Sequence, residues 1–138
     1  MSSITLKNCA EFSLFPVNWQ LPDRFLLAGF EFKNASNQQW DIRNTVNGHS
    51  LHASNGTTIR TPTIVDHLNI AAITMAHPVV VRALDSSGAT LSQAVVNPHD
   101  PSSEYELSGN GIVQIVFDDD GNEFYLARVC VNLTIQTN

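Results

Sequence analysis

Gly111-Ile-Val-Gln-Ile-Val-Phe-Asp-Asp-Asp-Gly-Asn-Glu-Phe-Tyr-Leu-Ala-Arg-Val-Cys-Val-Asn-Leu-Thr-Ile135 is the stretch on which the fold turns. Two runs rich in β-branched and aromatic residues flank an acidic turn, 118–123. Side chains alternate between the faces of a strand, and Asp120-Gly121 is ordinary turn chemistry. The reading predicts strands over 107–117 and 124–135, paired as an antiparallel hairpin.

The same rhythm runs through the chain. Gly, Pro, Asn and Asp interrupt β-prone runs every eight to twelve residues or so, the spacing of a sandwich or barrel. A first strand is expected over 4–15, with a bulge at Asn8-Cys9-Ala10, and a second over 24–33, bent at Gly29. The 39–60 segment reads as a polar meander divided by Asn47-Gly48 and Asn55-Gly56. Thr61-Pro62 resembles a helix start, so a short helical turn is expected there, followed by a strand over 69–75. A further hairpin is expected across Asp85-Ser-Ser-Gly88. The sum is a single all-β domain over 1–138, an antiparallel β-sandwich of jelly-roll type with about eight strands.

Composition narrows the partners. Charged residues make up 14% of the chain, against about 25% in a typical domain. The polar surface therefore comes mainly from Asn, Ser, Thr and Gln, which suits recognition of sugars or proteins. The net charge is −6, with the basic residues scattered singly. That excludes the basic stripe needed to neutralise nucleic-acid phosphates, and it disfavours anionic membranes. No apolar run reaches the length of a membrane span. The first residues lack a signal-peptide core, so the expectation is a soluble chain that is cytoplasmic or leaves by a non-classical route.

Cys9 and Cys130 fall in the first and last expected strands. The favoured reading is two buried, reduced thiols. A disulfide is the alternative, and it requires the terminal strands to be neighbours.

The densest cluster of hard oxygen ligands is Asp118, Asp120, Asn122 and Glu123, a candidate calcium site in competition with a plain solvated turn. Arg128 is the nearest cation in sequence and lies well along the returning strand. His49 and His52, three apart on a strand, point to opposite faces and cannot share a metal; both read as surface or edge residues. No nucleophile elbow, zinc-protease helix, paired-cysteine motif or phosphate loop occurs, so no enzyme is expected. Trp19 and Trp40 stand among amides, where an exposed indole stacks on a sugar ring; each serves equally to close one end of a sandwich. With Asn47 and His49 they form the candidate ligand set. The leading reading is a non-enzymatic, lectin-like module for a glycan or protein ligand, built as a homo-oligomer. The alternatives are a structural or assembly subunit and a small membrane-active toxin.

Overall fold

The computed structural model describes residues 2–35, 40–54, 56–98, 104–118 and 123–137. They form ten strands: β1 (Ser2–Glu11), β2 (Arg24–Leu27), β3 (Phe30–Lys33), β4 (Asp41–Thr45), β5 (Gly48–Ser54), β6 (Thr58–Ile73), β7 (Val79–Leu84), β8 (Thr90–Val96), β9 (Glu104–Asp118) and β10 (Glu123–Thr137). The fold is all-β and every pairing is antiparallel. Among the described residues no helix is long and apolar enough to cross a membrane.

The strands form one hydrogen-bonded network folded into two layers. β6 and β9 are long enough to belong to both. Near its start β6 lies between β3 and β9, through Thr58, Ile59 and Arg60. Near its end it lies between β9 and β10. The register breaks between Arg60 and Val65 and again between Val65 and His67. Such irregularities bend a strand and carry it around a corner. The front layer is therefore β4-β5-β10-β6-β9 with β1 on the far half of β10, and the back layer is β2-β3-β6-β9-β7-β8. Pro62, which has no N–H to donate, sits within the interruption. No helical turn forms there: β6 runs as strand from Thr58 to Ile73.

The expected hairpin between the last two long strands is corrected by this topology. β9 and β10 share no ladder among the described residues, because β6 lies between them. Asp118 pairs with Val80 in the back layer and Glu123 with Ser54 in the front layer. Asp118 and Glu123, the described ends of the acidic segment, thus stand in different layers. Phe117 and Phe124, one from each layer, stack with ring centroids 4.1 Å apart.

Alternation delivers the core. Ile42, Leu51, Leu68, Leu126 and Val129 of the front layer meet Phe32, Ile59, Val81, Ile115 and Phe117 of the back layer, all fully buried. β1 needs no bulge, since its register against β10 is unbroken. Ala10 and Phe12 share the parity of Ile4 and Leu6, yet only the first two are buried; β1 runs past the end of the core. The single strand expected over 24–33 is corrected to two: Ala28 and Gly29 both take positive φ and turn β2 back on β3. The β7–β8 hairpin forms as expected, with Asp85 Oδ1 accepting from the Ser87 and Ala89 N–H groups. These bonds, led by that from the Ser87 hydroxyl, hold the Asp85 carboxyl below its usual range.

The cysteines are corrected as well. β1 and β10 are neighbours, Cys9 lies directly opposite Cys130, and the two form a disulfide with Cα atoms 4.1 Å apart. The terminal-strand condition is met, so the oxidised alternative holds. Cys130 is buried and Cys9 half-buried.

Candidate functional site

Outward-pointing residues of β4, β5 and β10 converge at the upper part of the front layer. Asp41 pairs with His52, and His52 with Tyr125, in consecutive ladders. Because opposed residues share a face, all three side chains rise from the outer surface. Arg43 follows Asp41 by two and joins them. The rings of His52 and Tyr125 stack, with centroids 4.9 Å apart and planes 14° apart.

Fixed charges hold this stack. Arg43 Nε donates to Asp41 Oδ1 and Oδ2, each at 3.1 Å. His52 Nε2 lies 2.6 Å from Glu123 Oε2, and its Nδ1 is 3.4 Å from Asp41 Oδ1. The imidazole thus stands between two carboxylates. Tyr125 Oη donates to Glu123 Oε1 at 3.4 Å. Burial, and then the nearby Glu123 carboxylate, push the Tyr125 phenol above its usual range. Both terms disfavour the phenolate, so the hydroxyl keeps its proton as a donor well past neutrality.

Beside Tyr125 an open cleft of about 200 Å³ is lined by Arg43, Thr45 and Val46 on one side and Ile73 and Met75 on the other. Ser50, buried and small, bonds Thr45 Oγ1 at 3.2 Å. The cleft offers an aromatic edge, aliphatic walls and a guanidinium already oriented by Asp41. That combination of apolar surface and few fixed polar groups is what a small ring with hydroxyls requires.

The fold removes Trp40 from the expected ligand set. Trp40 is 2% exposed and packs 5.9 Å from Phe25, so its indole closes one end of the sandwich and offers no surface to a ligand. Trp19 is 53% exposed and rests on Phe15 at 5.6 Å. His49 Nδ1 meets the Phe15 carbonyl at 2.7 Å, which puts it at the same end as Trp19. Asn47 sits in the β4–β5 turn, its N–H donating to Thr45 Oγ1 at 3.1 Å. His52, read as a surface or edge residue, is buried beneath Tyr125.

Of the four expected calcium ligands, Asp120 and Asn122 lie outside the described residues. Asp118 is paired with Arg82, and Glu123 with His52. Arg82 stands on the strand next to β9, which is why sequence proximity pointed to Arg128 instead; Arg128 pairs with Glu104. Among the described residues no cluster of three or more His, Cys, Asp or Glu is arranged to hold a metal.

Sequence reasoning passed over Tyr125, Arg43 and Asp41. Tyr125 carried a usable signal: an aromatic residue with outward parity between inward Phe124 and Leu126, beside an acid.

No protein-family model and no curated protein matches the chain. Solved structures do. A family 29 carbohydrate-binding module, a lysine-to-alanine variant complexed with cellulohexaose, aligns at TM-score 0.54 with 11% identity over 91% of this chain and 92% of that one. An aspartate-to-alanine variant of the same module, complexed with mannohexaose, aligns at TM-score 0.50 and 11% identity over 94% and 92%. A glycoside hydrolase family 43 arabinoxylan arabinofuranohydrolase from Bacillus subtilis aligns at TM-score 0.40 and 16% identity over 62% of this chain. This chain spans only 21% of that enzyme's length. At these identities the likeness shows the fold alone, a β-sandwich shared with the family 29 modules.

Proposed function

We propose that this chain is a non-enzymatic carbohydrate-binding module that holds a sugar ring in the cleft beside Tyr125. The observation that carries the reading is the braced aromatic. Tyr125 is stacked on His52, which is held between Asp41 and Glu123, while Arg43 is oriented by Asp41 at the cleft wall. A ring fixed before the ligand arrives costs little ordering entropy on binding. Aromatic and methyl surfaces cover the apolar face of a sugar, and Arg43 and the Tyr125 hydroxyl are placed for its hydroxyls. The fold shared with the family 29 modules supports the same reading.

The test is a glycan array followed by calorimetry on the wild type, Tyr125→Ala and Trp19→Ala. The proposal expects binding that Tyr125→Ala removes and Trp19→Ala leaves. The reverse pattern transfers the site to Trp19, Asn47 and His49. Calcium enters as an optional partner at Asp118, Asp120, Asn122 and Glu123. The reading of the Tyr125 cleft does not depend on it: Asp41 is engaged by Arg43, and Glu123 by His52 and Tyr125.

A second reading, an assembly subunit that forms homo-oligomers, draws on one feature. Ile4, Leu6 and Ile135 are about half exposed where β1 and β10 outrun the core. Light scattering decides it: a particle of 15.1 kDa at micromolar concentration removes the assembly reading.

A further inference from the structure

The front face continues past the Tyr125 cleft, and the ladders give its rows. The first is Asp41, His52, Tyr125 and Ile73. Below it Glu11, Arg128, Ala71 and Glu104 are opposed across β1, β10, β6 and β9. Then come Cys9, Cys130, Asn69 and Glu106. Past this point β10 keeps its pairing with β1, while its ladder with β6 ends at Leu68 and Val131. The two strands splay, and a second groove of about 430 Å³ opens between them, lined by Ile64, Asp66, His67, Asn132 and Leu133 among others. Ile73 bounds the first cleft and His67 the second. They are six residues apart on β6, about 20 Å along an extended strand.

The Arg128–Glu104 ion pair lies between the grooves. It spans Ala71, which is only 2% exposed although it stands on an outer face. Both charged side chains remain well exposed, and ion pairs of that kind hold weakly in water. Two ion pairs stand along the face, Arg43 with Asp41 and Arg128 with Glu104, and His67 Nε2 lies 3.9 Å from Glu106; Glu11 and Asp66 add further carboxylates. An anionic ligand would meet repelling carboxylates along the face, and a cationic one a guanidinium at each ion pair. A neutral polymer of hydroxyls meets a donor and an acceptor at each.

We propose that the two grooves are the ends of one track for a linear, uncharged oligosaccharide. Arg128 and Glu104 exchange each other for ligand hydroxyls where the chain crosses Ala71. The proposal rests on the reading of the Tyr125 cleft and adds that the ligand is a chain longer than a disaccharide. His67 and Asn132 bind its far end.

Calorimetry with β-1,4-linked gluco- and manno-oligosaccharides, from disaccharide to hexasaccharide, tests it. The hexasaccharide should bind about tenfold or more tightly than the disaccharide, the equivalent of one or two additional hydrogen-bonded contacts. His67→Ala and Asn132→Ala should each lower the hexasaccharide-to-disaccharide affinity ratio about three- to tenfold. Tyr125→Ala should weaken both ligands. Melting curves that match the wild type show that these surface variants fold. If disaccharide and hexasaccharide bind alike and only Tyr125→Ala matters, the track is wrong and the cleft stands. If none of the oligosaccharides binds, the track falls, and the glycan array decides the cleft.

Discussion

His52 and Tyr125 lie directly opposite one another on β5 and β10, and each ring covers a face of the other. Neither ring would be positioned alone. Among the described residues Tyr125 has no second aromatic neighbour on this face, and His52 would be a buried imidazole without a hydrogen bond were Glu123 not at its Nε2. The pair makes separable predictions. His52→Ala should lower stability by about 1–3 kcal/mol, since it removes the partner of a carboxylate as well as the stack. His52→Phe should recover about 0.5–1.5 kcal/mol, the part due to ring contact. Urea unfolding of both variants measures the difference, and equal losses would show that the stack contributes nothing.

The Tyr125 phenol supplies a pH signature. Its folded value is raised above the ordinary 10.0. A group raised on folding contributes fully below its unfolded value, and that contribution is lost as pH rises through the folded one. Stability is therefore indifferent to this group below about pH 10 and falls above it. Phenolate absorbance should show a delayed component in the native protein that vanishes in urea and in Tyr125→Phe. A native titration coincident with the denatured one contradicts the burial described above.

The disulfide links residues 121 positions apart. Closing so long a loop restricts the unfolded chain and contributes up to about 4–5 kcal/mol in the chain-entropy model. Denatured, unreduced protein should show no free thiol by titration. The Cys9→Ala/Cys130→Ala double variant should melt at a lower temperature. Two titratable thiols would return the cysteines to the reduced state that the sequence favoured.

Gly109 on β9 is a packing constraint. A Cβ there would stand 2.7 Å from the Leu91 Cβ of β8, too near for either atom to yield by a rotamer change. Gly109→Ala should cost about 1–3 kcal/mol through displacement of β8. Leu91→Ala in the same chain should leave the loss largely unrelieved, since the contact is with Leu91 Cβ, which alanine keeps. Leu91→Gly should relieve it, and a fully additive double variant would rule out the contact as the cause.

Arg82 offers a way to test the acidic segment. It holds the Asp118 carboxylate and so competes with any cation there. If Asp118, Asp120, Asn122 and Glu123 bind calcium, millimolar calcium should raise the melting temperature more in Arg82→Ala than in the wild type, by mass action on the folded state. Asp120→Asn should cancel the rise. No shift in any of the three proteins means that the segment is a solvated connection.

Local chemistry made the β7–β8 hairpin legible, because Asp85 and Gly88 are themselves the turn. At Gly29 it showed only a bend within one strand, where the chain in fact reverses: Ala28, a residue with no preference for positive φ, hid that both positions form a turn between two strands. Local chemistry failed at 118–123. Asp-Gly between two β runs describes a hairpin equally well whether or not another strand intervenes, and β6, some fifty residues earlier, is the one that does. The site was hidden for a related reason. His52 sits among Ser, Ala and Leu in sequence; its carboxylates arrive from β4 and β10. Trp40 misled through polar neighbours along the chain, while Phe25 buries it from another strand.

The pairing of β1 with β10 also settles how the molecule meets mechanical force. Tension applied to the two ends opens this ribbon as a zipper, one pair at a time, from Ser2–Thr137 to Asn8–Val131. The next pair is Cys9–Cys130, where a covalent bond takes over from hydrogen bonds. Pulling in that direction lengthens the tether by the freed residues and then stops. The load then passes through the sulfurs, after Val131 has left its place beside Leu68, and the Tyr125 face does not bear it. Reduction of the disulfide removes that stop and lets the same tension continue along β10, past Arg128 toward the cleft.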